Sequence, residues 1–76
     1  MSRAECIERM RELAYEWRRH LVADLYYEFI DLLENDGLPE ALRQIDLCHA
    51  HAGMTQIEAR ACEDIYDLLL KVEAQS

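Results

Sequence analysis

Residues 2–35 contain no Gly and no Pro, and the run opens on Ser2-Arg3-Ala4-Glu5, which has the form of a capping box. Nothing in that stretch interrupts a helix, so the sequence predicts one continuous amphipathic helix over 2–35. At about 1.5 Å per residue such a helix would reach about 51 Å. A chain of 76 residues covers an element of that length only if the remainder folds back along it or a second copy contributes. Asn35-Asp36-Gly37 closes the run, with Gly37 suited to a left-handed cap.

Two further helices follow, over about 39–52 and 56–75. Pro39 suits a first helical turn, and Leu38, Leu42, Ile45, Cys48 and Ala52 recur as one stripe until Gly53 stops it. Thr55-Gln56-Ile57-Glu58 is a second capping box. It opens a helix with Ile57, Ala61, Ile65, Leu68 and Val72 on one face. The fold class read from this is all-α and single-domain over 1–76, with a long first helix and two shorter helices returning antiparallel along it.

The apolar face of the first run changes width along its length. Ile7, Met10, Ala14, Trp17 and Leu21 make a narrow seam at spacings of three and four. Beyond His20, the side chains Leu21, Val22, Leu25, Tyr26, Phe29, Ile30 and Leu33 cover much of the circumference. One returning arm cannot bury so broad a face, so these seven residues are the expected seam of a homodimer forming a four-helix-like bundle. The competing arrangement is a compact three-helix bundle whose first helix bends near Arg18-Arg19-His20.

Charge limits the partners. Up to Arg19 the chain carries five Arg and four Glu, whereas from His20 onward three basic side chains face twelve acidic ones. The net charge of −8 argues against direct nucleic-acid binding, which requires positive charge to displace counterions. It suits a protein partner with a basic or an apolar-helix surface. No stretch approaches the roughly 18 apolar residues of a membrane span, and the start of the chain enters a charged helix without an apolar signal-peptide core. Three cysteines without framework spacing fit reduced thiols, so the expected localisation is cytoplasmic.

Cys48-His49-Ala50-His51, with Cys62 beyond the turn, is the one cluster with metal-ligand chemistry. Cys48 and His51 share a helix face, and zinc accepts thiolate and imidazole. A structural site needs four ligands, and the second paired motif is missing. The reading is therefore no metal and no cofactor, with Cys48, His51 and Cys62 as the residues of an alternative metal- or redox-responsive regulator. Residues Leu42-Arg43 and Ala52-Gly53-Met54-Thr55-Gln56-Ile57-Glu58-Ala59 resemble the opening helix and second-helix start of phage-repressor-like helix-turn-helix domains. That resemblance implies a transcription regulator. In that family a Gly-containing turn and a recognition helix come next, whereas here Cys62-Glu63-Asp64-Ile65-Tyr66 runs straight on, so the version implied is a truncated one.

Catalysis finds no support. Two widely spaced glycines make no phosphate loop, and Glu16/His20 and Asp46/His49 lack a third group. Five of the six aromatic residues lie in the first run, and Trp, Tyr and Arg are the residue types enriched in binding hot spots. Trp17, Tyr26 and Phe29 lie on the core stripe, while Tyr15 and Tyr27 fall off it. The function expected is a small acidic non-enzymatic interaction module, an inhibitor or adaptor in the style of bacterial phage proteins. Its expected contact residues are Tyr15, Arg18, Arg19, Tyr27, Glu63, Asp64 and Asp67. Two mechanisms fit: acidic faces imitating a nucleic-acid backbone, or an apolar groove capturing a partner helix.

Overall fold

The computed structural model describes residues 1–49 and 55–75. Among them are four helices and no strand: α1 (Arg3–Glu16), α2 (Val22–Asn35), α3 (Leu38–His49) and α4 (Gln56–Glu73). The largest dimension is 33 Å, far short of a continuous first helix. That helix is broken, and the expectation of one element over 2–35 is corrected here. Residues Trp17–Leu21 form a tight turn, and α2 returns antiparallel along α1. Arg3 at the start of α1 donates to the Glu34 carbonyl at the end of α2 (3.0 Å), and Arg11 reaches the Glu34 carboxylate at 3.4 Å.

The turn forms without Gly or Pro because it stays close to helical geometry. Trp17 (φ −102°, ψ 19°) and Leu21 (φ −58°, ψ −24°) need no left-handed residue. Hydrogen bonds tighten from four residues to three: Arg18 N–H to the Tyr15 carbonyl (3.2 Å), His20 to Trp17 (2.8 Å), Ala23 to His20 and Asp24 to Leu21 (both 3.1 Å). Side chains cap both ends. Arg18 Nη1 donates to the Tyr15 carbonyl at 2.9 Å, and His20 Nδ1 accepts the Val22 amide at 3.0 Å. The break therefore sacrifices little, each hydrogen bond being worth about 0.5–1.5 kcal/mol net. Folding back buries Cys6, Met10, Leu13 and Ala14 of α1 against the core, with large apolar side chains contributing about 1.5–3 kcal/mol each. Burial decides the matter.

The helices α2 and α4 make the middle of the bundle. Each touches all three other helices, while α1 and α3 flank them. Val22, Tyr26, Phe29, Ile30 and Leu33 of α2 are buried in the chain's own core together with Ala41 and Ile45 of α3 and Ala61, Cys62, Ile65, Leu68, Leu69 and Val72 of α4. These include five of the seven side chains expected at a dimer seam. Leu25 is half-buried against the same core, and Leu21 is 86% exposed. The apolar width expected to need a second copy is covered within the chain by α1 folding back.

Other local readings match, one of them in part. Ser2 and Glu5 form the reciprocal capping box of α1 (3.0 and 3.1 Å). At α4 the cap is one-sided and not the expected reciprocal box: the Thr55 hydroxyl accepts the Glu58 amide at 3.2 Å and donates to its carboxylate at 2.9 Å. Gly37 takes φ +89°, and its N–H returns to the Leu32 carbonyl at 2.9 Å. Ala52 and Gly53, expected to end the helix before α4, lie outside the described residues. Among the described residues no helix is long and apolar enough to cross a membrane.

Candidate functional site

The turn at Trp17–Leu21 does more than reverse the chain. It sets the end of α1 and the start of α2 beside α4, and a groove of 660 Å³ opens between them. Leu13, Trp17, Val22, Ile57 and Leu68 supply its apolar lining, and Tyr26 lies among them. A smaller hollow of 420 Å³ continues past Val22 and Ile57 to Leu21 and Leu25. Trp17 and Ile57, both expected on core stripes, are 39% and 38% exposed. Together with Leu21 they leave apolar surface at the junction of three helices.

Charges line the rim in an ordered way. Arg60, Asp64, Asp67 and Lys71 of α4 all border the groove, at spacings that keep them on one face of the helix. Opposite them stand Arg9 and Glu16 of α1. Arg9 is held by Glu12 at 3.3 Å. Among the described residues Glu16, Arg60, Asp64, Asp67 and Lys71 make no ion pair.

The expected contact residues separate. Asp64 and Asp67 line the groove, whereas Glu63 is exposed elsewhere on α4. Tyr15 and Arg18 are exposed but engaged with each other, the guanidinium carbon lying 4.2 Å from the ring centroid. They build the turn. Arg19 is exposed within the turn, and Tyr27 is exposed on α2; neither lines the groove. Sequence reasoning missed Glu16, Trp17, Ile57, Arg60 and Lys71. The Arg60/Asp64/Asp67/Lys71 spacing was a legible signal, but its opposite wall comes from α1 and depends on the turn.

The acidic side chains do not form one continuous negative face. Glu40 is clamped by Arg43 through two hydrogen bonds (2.6 and 3.0 Å) and by Gln44 at 3.0 Å. Those bonds, Arg43 first, hold its carboxyl down at about 2. Asp64 and Asp67 sit between two basic residues along α4.

Of the metal or redox candidates, Cys48 and Cys62 lie close enough across α3 and α4 for each thiol to influence the other. Burial pushes both thiols up, Cys62 to about 11, and proximity to the other thiol adds to the rise there. A thiol held protonated is a poor nucleophile and a poor ligand. Among the described residues no three potential ligands come together, and His51 lies outside them. In the region resembling a helix-turn-helix, α4 runs unbroken from Gln56 to Glu73, and no separate recognition helix follows it among the described residues.

Comparison with family models, curated proteins and solved structures finds no match. The groove is accordingly read from its own chemistry.

Proposed function

We propose that this chain is a non-enzymatic protein-binding module that captures an amphipathic helix of a partner in the groove between the α1–α2 turn and α4. The observation that carries the reading is the exposed apolar set Leu21, Trp17 and Ile57, continuous with a groove whose rim charges, Arg9 apart, make no ion pair among the described residues. Arg60 to Lys71 spans about 16 Å, three turns of a bound helix. Apolar anchors in the groove would supply affinity, and the rim would set register and direction.

Charge order favours a different protein over a second copy. Along α4 the rim reads basic, acidic, acidic, basic at Arg60, Asp64, Asp67 and Lys71. A two-fold antiparallel pairing of this face sets Arg60 against Lys71 and Asp64 against Asp67, like against like. The complementary partner is acidic at its ends and basic at its centre. Acidic mimicry of a nucleic-acid backbone fits less well, because Glu40 is neutralised locally and Asp64 and Asp67 are flanked by Arg60 and Lys71. Inhibition or adaptation of the captured protein would follow from occupying its helix.

The test uses the full chain as bait, beside Ile57→Asp in the groove and Leu47→Asp on the exposed surface of α3. A protein retained by wild type and Leu47→Asp, lost by at least about 10-fold with Ile57→Asp, and rebound from purified components supports groove capture. Affinity should hold between low and moderate salt, since a largely apolar contact is weakly screened. Equal binding by Ile57→Asp, or steep loss with salt, removes the reading.

A further inference from the structure

Tyr26 is the least explained polar group in the groove. Its side chain is 1% exposed, and buried phenols ordinarily find a hydrogen-bond partner. Among the described residues its hydroxyl has none. No fully enclosed side-chain oxygen or nitrogen of the described residues lacks a partner, so this oxygen must be reached from the groove it lines. A buried ring thus presents to the groove one hydroxyl that no protein group among the described residues engages.

The charge around that oxygen has a definite sign. Burial raises the phenol most, to about 12; the carboxylates of Asp64 and Glu16 raise it further, and Arg9 opposes them. Arg9 is already committed to Glu12, while Glu16 and Asp64 carry no ion pair among the described residues. Beside that neutral acceptor stand two carboxylates without an ion pair among the described residues, in a groove whose lining as a whole balances three acidic side chains against three basic ones. Trp17, partly exposed on the same wall, offers an aromatic face.

That set of groups selects a cation, and one with several donors in a plane. A guanidinium carries five N–H groups in a fixed fork and stacks on aromatic rings, whereas an ammonium is a compact, strongly hydrated point charge. Donors directed to both carboxylates and to the Tyr26 oxygen would satisfy all three acceptors at once. We propose that the Tyr26 floor, with Glu16 and Asp64 beside it and Trp17 at its rim, is a receptor for the guanidinium of one arginine on the captured helix. This rests on the groove being the partner-binding surface and names the residue at the centre of that partner.

The pocket can be tested without the partner, by titrating N-acetyl-arginine methylamide into isotopically labelled protein. The readouts are the Trp17 indole N–H and the amides of Asp64 and Glu16. The expected result is saturable shifts at these sites, at least about 5-fold tighter than for the lysine analogue. Tyr26→Phe should weaken the arginine probe about 10-fold, the lower value of a charged hydrogen bond. Asp64→Asn provides a second, surface-compatible variant with the same expected direction. Equal response to arginine, lysine and norleucine analogues overturns the assignment. So does unchanged affinity in a folded Tyr26→Phe, or a stronger response to acetate than to the arginine probe. If the probe fails while Ile57→Asp still loses the partner, only the arginine assignment falls. If the probe binds and Ile57→Asp retains the partner, the helix-capture reading falls instead.

Discussion

His20 Nδ1 accepts the backbone amide of Val22 at 3.0 Å, so an imidazole caps the first turn of α2, whose N-cap position holds Leu21 and no Ser, Thr, Asp or Asn. Through that bond a polar side chain at the chain reversal fixes where α2 begins and hence where its core residues point. His20→Ala should lower unfolding free energy by about 0.5–2 kcal/mol, the usual range for losing an N-cap acceptor. His20→Asn should retain most of it. Urea denaturation of the two variants checks this, and an alanine variant as stable as wild type would show that the turn holds without the cap.

Gly37 occupies φ +89°, a conformation that L side chains rarely adopt. Space is not the constraint, since an added Cβ would meet only the Pro39 ring at 3.8 Å. Gly37→Ala should destabilise by about 1–2 kcal/mol through backbone strain alone. Thermal melts of Gly37→Ala and Gly37→Asn should rank the asparagine variant between alanine and wild type.

Core and surface positions of the expected dimer seam should respond in opposite ways. Phe29→Ala and Leu33→Ala remove fully buried side chains and should lose about 3–5 kcal/mol and about 2–5 kcal/mol respectively. Leu21→Ala, at an exposed position, should change stability by no more than about 0.5 kcal/mol. Sedimentation of the wild-type chain should return a mass near 9.0 kDa at micromolar concentration. A value twice that, reduced by Leu21→Asp, would restore the second subunit.

Glu40 should titrate far below an ordinary carboxyl, with an NMR midpoint of about 2. Its folded value is depressed, so its contribution is complete above the ordinary value of 4.5 and fades as pH falls toward about 2. Arg43→Gln removes the larger cause and should return the midpoint most of the way to the ordinary value. Being exposed, the pair should move global stability little.

Thiol reactivity should be suppressed in the native state. Burial holds Cys6 and Cys62 near about 11 rather than 9.0, which lowers the thiolate fraction about 100-fold at neutral pH. Alkylation of both should accelerate sharply on adding urea. Rapid native labelling of Cys62 would reopen the redox reading of the Cys48–Cys62 pair.

Much of the fold was legible in short-range chemistry. Ser2 with Glu5, Thr55 with Glu58 and Gly37 act within one turn of backbone, so their roles follow from residue type and spacing. The same holds for Ala61, Ile65, Leu68 and Val72, whose 3.6-residue recurrence names the buried face of α4. The groove was legible only in part. Asp64 and Asp67 stood out as off-stripe acids, but Trp17 and Ile57 lie at core spacing and read as packing. Each sits at the end of a helix, where its stripe runs out past the neighbouring element.

The amino-acid sequence by itself determined that the chain is helical, where its caps and glycine stop lie, and which faces are apolar. Those properties depend on interactions within a few residues. Tertiary structure alone decided that residues 17–21 bend. They contain no breaker, hold near-helical angles and reverse the chain because burying α1 against α2 and α4 stabilises more than a few helical hydrogen bonds. From that one bend come the core filled within the chain, and the groove to which Tyr26 presents its hydroxyl.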